Sequence, residues 1–503
     1  PISTNIAVPL AGKGTAESPY LITSAEDWNA LAAYITTADD NFAGKTLKVT
    51  ADIDFTDKAF SPIFSGTHAL EGTLDGNGKT VKGIAFTTDN TFQAPIGTVE
   101  ATGVIRNLKM QGEVKTAKAN TGAFTAKVYG TVENCENLVN LTATSGAGHS
   151  GFGTLYRDAV MTDVANRATI AGANGQLAGI SHNVSAEGAV FTRVANYGTI
   201  KSTSTASSVN NFGGLVATCY PATFTDCHNE GTFEFAKANN ANQVGGLIGN
   251  ATSSTTPGMP LTLTGCYNTS DITAHNIVAG IVANNAQNKN TVVITDCYNR
   301  GNITSATDKS TSSAPTAGIT AFFTAGSQIK GCRNYGKITA AKNVFAGGIV
   351  GSYKGTGAKT TPSLVFNCHN EGEISADGNQ GAGIMGISMA YTTIDSCSNV
   401  ASVSGGFGMA GILANISGEG LVISRCWNEG NIDGANRYVG GIGGWGNVEG
   451  TITECFNIGN ITSHSDIQGS GTTAGFGIGG IAGYAGSHIT RCYNTGAVTG
   501  ATR

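Results

Sequence analysis

Two cysteines of this chain are followed directly by a histidine, at Cys227-His228 and at Cys368-His369. A thiol and an imidazole within hydrogen-bond reach of each other are a common pair for nucleophilic catalysis. The surrounding residues alternate as in a β-strand, and neighbouring residues of a strand point to opposite faces, which disfavours such a pair here. The sequence also lacks a CxxC pair of the kind that binds zinc. We therefore predict no catalytic residue, no metal site and no cofactor.

Acidic residues recur at the third position after several cysteines, which is a second arrangement that could do chemistry. Glycoside hydrolases need two carboxyl groups on one face, about 5 Å apart in retaining enzymes and farther apart in inverting ones. Glu371 and Glu429 lie two repeats apart, or about 10 Å at the strand spacing, which is too long for a retaining pair and marginal for an inverting one. We interpret these side chains as solvated turn charges. The position holds Glu230, Arg300, Glu371 and Glu429.

Cysteine marks an internal repeat, and that repeat must position every candidate side chain. Leu108, Val164 and Val194 occupy the same motif position in three further copies, so that thirteen copies follow one another, with 29 residues as a recurring interval. Ten of the eleven cysteines lie at this position: Cys135, Cys227, Cys266, Cys297, Cys332, Cys368, Cys397, Cys426, Cys455 and Cys492.

Each repeat also carries a glycine block about halfway along, such as GGIVG from Gly347 and GGIGG from Gly440. Short alternating runs between the blocks, such as TVVITDC ending at Cys297, predict strands rather than helices. A few short strands per repeat make one turn of a coil, and stacked coils bury a continuous core. The sequence therefore predicts an all-β fold, a right-handed parallel β-helix (β-solenoid) of about 13 coils with an N-terminal capping region that contains a short helix.

The motif C-x-N-x-G-x-I places its cysteine and asparagine on one side of a strand, so we expect both to face the core. Stacked asparagines can satisfy one another's buried amides, and cysteine packs as a small apolar residue. We expect reduced thiols, because parallel Cβ vectors are poorly aimed for a disulfide. Cys219 lies outside the motif and is predicted to be a loop thiol. The predicted structural ladders are Cys266, Cys297, Cys332, Cys368, Cys397, Cys426, Cys455 and Cys492, with Asn268, Asn299, Asn334, Asn370, Asn399, Asn428, Asn457 and Asn494.

The residue after each cysteine should point outward and is often aromatic. Exposed aromatic rows suit stacking on sugar rings or docking of a partner protein. The alternative is that neighbouring rings stack on one another for stability. The candidate ligand-binding residues are Tyr267, Tyr298, His369, Trp427, Phe456 and Tyr493, in a line that also contains Arg333 and Ser398.

The stretch GGIGGWGNVEGTITECFNIGNIT, residues 440–462, resembles the GLUG repeat, which pairs a glycine block with a cysteine-centred strand motif. The resemblance covers roughly residues 100–500. Ala168, Ser270 and Ala401 replace the turn glycine, and we expect looser turns there. The resemblance implies a β-solenoid in a secreted or surface-displayed bacterial protein, such as an adhesin-like or autotransporter passenger region.

The first hundred residues differ from the repeats. Ser24 and Asp27 resemble a capping box, and the spacing of Trp28, Leu31, Ala32 and Ile35 predicts an amphipathic helix with Trp28 in its core. GTLDGNGKTVKGIAF predicts strand, turn and strand. We predict three domains: a flexible N-terminal segment over 1–16, a cap with the first coils over 17–100, and the repeat solenoid over 101–503.

Composition limits the possible partners. A net charge of −5 without a basic run disfavours nucleic acid, and no apolar stretch is long enough to span a bilayer. The start at Pro1 predicts that a leader was removed, and an uncovered last coil predicts further sequence or another chain at the C-terminus. The oligomeric state stays open.

The leading function is that of a non-catalytic extracellular or cell-surface bacterial protein, adhesin-like, which binds a glycan or a host or partner protein. One alternative is a carbohydrate-active enzyme, a polysaccharide lyase or glycoside hydrolase, with acids brought together by the loops at 251–260, 305–316 and 463–475. The other alternative is a structural spacer without a ligand.

Overall fold

The computed structural model describes residues 6–205, 211–236, 242–252, 258–285, 291–306, 314–341, 344–377, 380–446, 449–464 and 477–500. Within these ranges the chain is nearly all β-strand and has one helix, Ala25–Ala38. The chain divides into two compact units, Pro1–Ala236 and Lys237–Arg503. Strands of successive repeats pair in parallel, so the predicted all-β solenoid is confirmed, with about 14 turns.

One turn of the second unit illustrates the coil. A pre-cysteine strand, Val292–Thr295, is followed by an asparagine strand, Tyr298–Asn299, and a third strand, Ile303–Ser305. A glycine strand, Pro315–Ala317, and a fifth strand, Thr320–Thr324, complete the turn. Each strand pairs in register with the same strand of the next coil, so a side chain at one motif position lies directly beside its equivalent.

In the second unit the same five positions recur in every coil. The pre-cysteine strands are Leu261–Thr264, Val292–Thr295, Gln328–Lys330, Ser363–Phe366, Thr392–Asp395, Leu421–Ser424, Gly450–Thr453 and His488–Thr490. The asparagine strands are Tyr267–Asn268, Tyr298–Asn299, Arg333–Asn334, His369–Asn370, Ser398–Asn399, Trp427–Asn428, Phe456–Asn457 and Tyr493–Asn494. The third strands are Ile272–Ala274, Ile303–Ser305, Ile338–Ala340, Ile374–Ala376, Val403–Gly405, Ile432–Gly434, Ile461–Ser463 and Val498–Gly500. The glycine strands are Gln243–Gly245, Ile277–Ala279, Pro315–Ala317, Phe345–Gly347, Gly381–Ala382, Met409–Ala410, Val439–Gly440 and Ile478–Gly479. The fifth strands are Ile248–Ala251, Val282–Asn284, Thr320–Thr324, Val350–Lys354, Met385–Ile387, Leu413–Asn415, Gly443–Gly446 and Ala482–Ala485.

The first unit has the same plan after a stretch of longer strands. Its long or early strands are Tyr20–Ile22, Thr46–Val49, Ile53–Asp54, Thr73–Thr88, Val104–Thr116 and Glu136–Ala143. Its pre-cysteine strands are Thr131–Glu133, Val160–Thr162, Val190–Thr192 and Thr223–Thr225, and its asparagine strands are Ala165–Asn166, Ala195–Asn196 and His228–Asn229. The third strands are Ile170–Gly172, Thr199–Ser202 and Thr232–Phe235, and the glycine strands are Thr121–Gly122, His149–Ser150, Leu177–Ala178 and Phe212–Gly213. The fifth strands are Ala69–Leu70, Ile96–Val99, Thr125–Val128, Thr154–Leu155, Ser181–Val184 and Val216–Cys219.

A sharp corner precedes each motif cysteine. Asp296, Asn367 and Glu454 have φ angles of 52°, 51° and 55°, in the left-handed region. The alternating run TVVITDC is therefore not one straight strand, because its strand ends at Thr295 and the backbone bends before Cys297. This corner turns the asparagine strand away from the pre-cysteine strand.

The turn glycine after the asparagine is required by close packing between coils. A Cβ at Gly372 would lie 1.9 Å from the carbonyl oxygen of Gly336 on the preceding coil. Where alanine replaces this glycine, at Ala401, the preceding Asn399 still donates to the carbonyl two residues on, at 2.7 Å. The turn thus keeps its hydrogen bond with a small side chain present.

The N-terminal region carries the predicted helix, capped by Ser24, whose hydroxyl accepts from the backbone N–H of Asp27. Trp28 is fully buried. The predicted strand, turn and strand over GTLDGNGKTVKGIAF is wrong, because one strand, Thr73–Thr88, runs through this stretch in parallel pairing. The Asp-Gly-Asn-Gly residues form an irregularity in that strand, since Asn77 adopts a left-handed φ of 53° and its N–H donates to Asp75.

The prediction of a loop thiol at Cys219 is also wrong. Cys219 ends the fifth strand Val216–Cys219 and is completely buried. The residue lies outside the cysteine motif, but its strand is a regular part of the coil, so its side chain packs inward. Burial raises the pKa of this thiol.

Candidate functional site

The residues that follow the motif cysteines form one line on the second unit, and we call this line the aromatic row. Backbone pairing places each member beside the next, because the asparagine strands stack in register. The cysteine and asparagine on either side of each member are buried, apart from the partly exposed Cys492 and Asn494, so the row faces outward from the core. Its members are Tyr267, Tyr298, Arg333, His369, Ser398, Trp427, Phe456 and Tyr493.

A ladder of asparagine amides lies directly beneath the row. In each step the side-chain nitrogen of one asparagine donates to the side-chain oxygen of the next, from Asn268 to Asn494, at 2.6–2.9 Å. The same nitrogen also donates to the carbonyl two residues on, as from Asn334 to Gly336. Every amide nitrogen of this ladder from Asn268 to Asn494 therefore has a partner, and the backbone that carries the row is fixed in register.

A second ladder, of cysteines, flanks the asparagines. The structure has all eleven cysteines as free thiols. The backbone N–H of Cys368 donates to the sulfur of Cys397 on the next coil at 3.4 Å, and the same contact recurs at Cys397 and Cys426. Burial raises the pKa of these thiols well above the ordinary value. They remain protonated near neutral pH, and a protonated buried thiol is a poor nucleophile.

His369 follows Cys368 but does not pair with its thiol. One ring nitrogen, Nδ1, lies 2.6 Å from Ser398 Oγ, and Nε2 lies 3.2 Å from Asn367 Oδ1. Burial, followed by the nearby Arg333, lowers the pKa of His369, so the ring is neutral at pH 7. The Cys-His arrangement is therefore a buried thiol next to an outward polar ring.

Stacked rings make up the first aromatic group of the row. Tyr267 and Tyr298 stack with centroids 4.8 Å apart and planes 5° from parallel. Tyr335, two residues beyond the row, meets Tyr298 edge-on at 6.3 Å. The Arg300 guanidinium lies 4.5 Å from the Tyr335 ring centroid. Each ring of this group is held in place by contact with another ring, so the group forms a rigid surface.

A second aromatic group lies farther along the same row. Trp427 and Phe456 stack at 6.1 Å, and Phe456 and Tyr493 stack at 5.3 Å. The Trp427 indole N–H donates to Glu429 at 3.1 Å. Neighbouring rings of the row therefore do stack on one another, as the alternative interpretation of the aromatic line predicts. Stacking leaves some ring surface exposed all the same, since Trp427 and Phe456 are only half-buried.

A polar gap separates the two aromatic groups, and it contains two adjoining hollows on either side of Arg333. Arg333 is the exposed centre of the gap, and its guanidinium lies 3.7 Å from Glu371. The first hollow, about 320 Å³, is lined by Asp296, Cys297, Tyr298, Gly331, Arg333 and Asn367. The second, about 140 Å³, is lined by Arg333, His369, Asn370, Glu371, Ser398 and Val400.

A small residue shapes the first hollow. A side chain at position 331 would collide with the Asp296 carboxylate, so this carboxylate leans over Gly331 into the first hollow. Ser398 lies on the coil between His369 and Trp427 and is buried, and the two neighbouring rings come within 6.0 Å of each other. The gap therefore offers a guanidinium, carboxylates and an amide close to an aromatic face.

The corner residues Asp296, Gly331 and Asn367 were not identified from the sequence, because the alternating pattern predicts that the strand continues without a bend up to the cysteine. The signal was the recurrence of Asp, Asn and Gly, which tolerate left-handed φ, immediately before that cysteine. A separate aromatic cluster was also missed. It consists of Phe407, Tyr438, Trp445 and Tyr484, with ring centroids 5.3–6.1 Å apart.

Other predicted features give no further site within the described ranges. No group of three or more His, Cys, Asp or Glu side chains there could hold a metal ion. The described residues include no helix of membrane-spanning length, since Ala25–Ala38 has 14 residues and a bilayer needs about 20. Most of the loops at 305–316 and 463–475, and the middle of 251–260, lie outside the described residues.

Comparison with known proteins gives partial similarities. No protein-family profile matches the chain. A "Putative Gly-rich membrane protein" of Evansella cellulosilytica is 30% identical over 127 residues, which is 24% of this chain and 15% of that protein. Halomucin of Haloquadratum walsbyi is 30% identical over 140 residues, 26% of this chain and 2% of halomucin. The chain thus spans a small part of the curated relatives that it matches.

Among solved structures, a crystal structure described as a "putative immunoglobulin A1 protease" from Bacteroides ovatus aligns with 96% of this chain and 86% of that chain. The sequence identity is 13% and the TM-score is 0.23.

Proposed function

We propose that this chain is a non-catalytic, adhesin-like β-solenoid of the cell surface or extracellular space, related to GLUG-repeat proteins, that binds a glycan through the aromatic row. The observation that carries this proposal is the arrangement of two stacked aromatic groups around a polar gap on one face. Aromatic faces stack on the apolar side of a sugar ring, and charged or amide side chains bond its hydroxyls. The asparagine ladder keeps this face in place without ligand.

Location at the surface is supported by the names of the partial relatives, a membrane protein and halomucin. In this proposal the residues of the aromatic row bind the ligand, and other residues would attach the protein to the cell surface. The proposal also agrees with the low charge of the chain, because a neutral sugar does not have to be attracted by opposite charge on the protein.

The competing enzyme function needs a general acid, and glycosidases obtain one by raising the pKa of a carboxyl group. The pKa of the carboxyl groups of Asp54 and Asp163, in contrast, is lowered by their hydrogen-bond partners. Glu371 and Glu429 each face a side chain of the row, Arg333 and Trp427. This arrangement favours binding over cleavage.

The test is a glycan-array screen of the purified protein, with release of reducing sugar measured on the same polysaccharides. We expect saturable binding without product. Trp427→Ala should weaken binding about tenfold, because a stacked ring contributes on the order of 1 kcal/mol. Tyr391→Ala is the matched control, since Tyr391 lies outside the aromatic row, directly before the pre-cysteine strand Thr392–Asp395, and hydrogen-bonds to Glu419.

Product release would overturn the non-catalytic proposal. Unchanged binding in Trp427→Ala, with the far-ultraviolet circular dichroism of the parent protein, would remove the aromatic row as the site. Absence of any glycan binding would favour the spacer function or a protein partner.

A further inference from the structure

We infer that the aromatic row binds a linear, uncharged polysaccharide lengthwise, along the direction in which the coils stack, with the hollows beside Arg333 as the subsite that fixes its register. This inference rests on the proposed function and adds the class and orientation of the ligand. Its basis is the order of side chains along the row, which is aromatic, polar and aromatic again.

The direction follows from the pairing register. Tyr298, Arg333, His369, Ser398 and Trp427 lie on successive coils, each directly beside the next. Successive strands are about 4.8 Å apart, close to the length of one pyranose unit. An extended glycan laid along the row therefore meets a new side chain with each sugar. Tyr298 and Trp427, the aromatic row members on either side of the gap, are separated by four such steps, roughly 19 Å.

A ligand laid across the coils would meet a different surface. On one side of the row the chain enters the corner that carries Asp296 and Asn367, and on the other it enters the turn after Asn334. The two aromatic groups can be contacted together only along the row. A short oligosaccharide would reach one group, and a longer one would reach both and cross the hollows between them.

The uncharged class follows from the groups around the gap. Arg333 lines both hollows, with Glu371 in the second and the Asp296 carboxylate in the first. His369 is bonded through both nitrogens to neutral partners and adds no positive charge. With Arg300, which lies against Tyr298 and Tyr335, two guanidinium groups face two carboxylates, so a polyanion finds no excess of positive charge. A sugar hydroxyl, in contrast, can both donate to a carboxylate and accept from a guanidinium.

The test uses isothermal titration calorimetry with neutral oligosaccharides, β-glucan and mannan series from dimer to octamer, and a polyuronate series of the same lengths. We expect affinity for one neutral series to rise with length and to level off once the chain spans both aromatic groups. The polyuronates should bind at least about tenfold more weakly.

Arg333→Gln tests the central subsite. It should weaken binding of the long neutral oligosaccharides about tenfold and leave the short ones unchanged, because a short ligand occupies one aromatic group without reaching the gap. Lys337→Gln is the matched control, since it removes a positive charge from the same coil at an exposed surface pair with Glu373. Thermal unfolding of both variants checks that the fold is retained.

The outcomes separate this inference from the proposed function. Glycan binding that depends on Trp427 but not on length or on Arg333 would overturn the lengthwise orientation and leave the proposed function intact. Tighter binding of polyuronates would overturn the uncharged class. Absence of binding to every glycan would overturn both.

Discussion

The side-chain amide of Asn334 donates to the side-chain oxygen of Asn370 on the next coil at 2.8 Å. Asn370 passes the contact on, since its own nitrogen donates to Asn399 at 2.7 Å and to the Gly372 carbonyl at 2.8 Å. A buried amide between two others is satisfied only while both neighbours are present. The ladder therefore couples the stability of each coil to the next.

Replacement of Asn370 should expose this coupling. Asn370→Ala removes the partners of three buried groups, and we expect a loss of about 2–4 kcal/mol in the free energy of unfolding. A lower urea midpoint in circular dichroism would report it. Asn302→Ala is the control, because the side chain of the exposed Asn302 makes one hydrogen bond, accepted from the Lys337 N–H, and its loss should cost less than about 1 kcal/mol. Equal losses in the two variants would contradict the role of the ladder.

The corner before each cysteine predicts a stabilising change. Ser396 adopts a left-handed φ of 56°, which costs a residue with a Cβ roughly 1 kcal/mol. Ser396→Gly should therefore raise the free energy of unfolding by about 0.5 kcal/mol, after the greater chain entropy of glycine is subtracted. A higher urea midpoint would report this gain. Ser375→Gly, in the regular third strand Ile374–Ala376, should lower the midpoint. The same sign in both variants would argue against strain at the corner.

The buried thiols predict a loss of stability in alkali. Burial raises the pKa of Cys332, Cys368 and Cys397 above the ordinary value of 9.0. Above pH 9 the unfolded chain ionises these thiols while the folded chain keeps its protons, so the free energy of unfolding falls as pH rises.

We expect the urea midpoint to fall steeply above pH 9, and the fall should be shallower in Cys397→Ala. Alkylation with iodoacetamide at pH 8, read by mass spectrometry, should modify the partly exposed Cys492 before the buried Cys397. Equal alkylation of the two, or an inter-coil disulfide, would contradict the packing of the ladder.

Two buried histidines in the first unit predict acid sensitivity. Burial lowers the pKa of His149 to about 4, and burial together with the neighbouring His149 lowers that of His182 to about 3. Both pKa values lie below the ordinary value of 6.5, so the unfolded chain takes up protons first. The free energy of unfolding is therefore highest above pH 6.5 and falls as pH drops from 6.5 to about 4 for His149 and to about 3 for His182.

His149→Leu should flatten this acid limb by up to about 1.4 kcal/mol per pH unit. It should lower stability at pH 7 only slightly, because neither ring nitrogen of His149 makes a well-formed hydrogen bond and the ring interacts only with the backbone of Ser145 and Gly146. The exposed His488 provides the control variant, His488→Gln, whose profile should follow that of the parent protein. An unchanged acid limb in His149→Leu would contradict the prediction.

The repeat itself can be predicted from the sequence, because a solenoid places equivalent residues in equivalent surroundings. Cys297 and Asn299 recur at fixed spacing, and that recurrence predicted parallel coils and an inward-facing cysteine and asparagine. The helix over Ala25–Ala38 was also predictable, since its cap at Ser24 and its apolar stripe are local features. Such features depend on near neighbours along the chain.

Two local exceptions to the expected pattern, the stretch around Asp75 and Cys219, could not be predicted from the sequence. The stretch around Asp75 was interpreted as a turn between strands because Asp-Gly-Asn-Gly is a turn sequence, yet parallel pairing with Val104–Thr116 keeps it within one strand. Cys219 was placed in a loop because it lies outside the motif, yet its strand packs inward. In both cases pairing with a distant segment outweighed the local preference.

The sequence by itself determined the line of outward residues from Tyr267 to Tyr493, since register in a repeat follows from spacing alone. Only the tertiary structure decided that the rings stack in two groups and that hollows lie beside Arg333 between these groups. The hollows depend on the left-handed corner at Asp296 and on the small residue at Gly331, which come from different coils. A surface concavity is formed by atoms from distant parts of the chain, and its shape depends on how the coils stack.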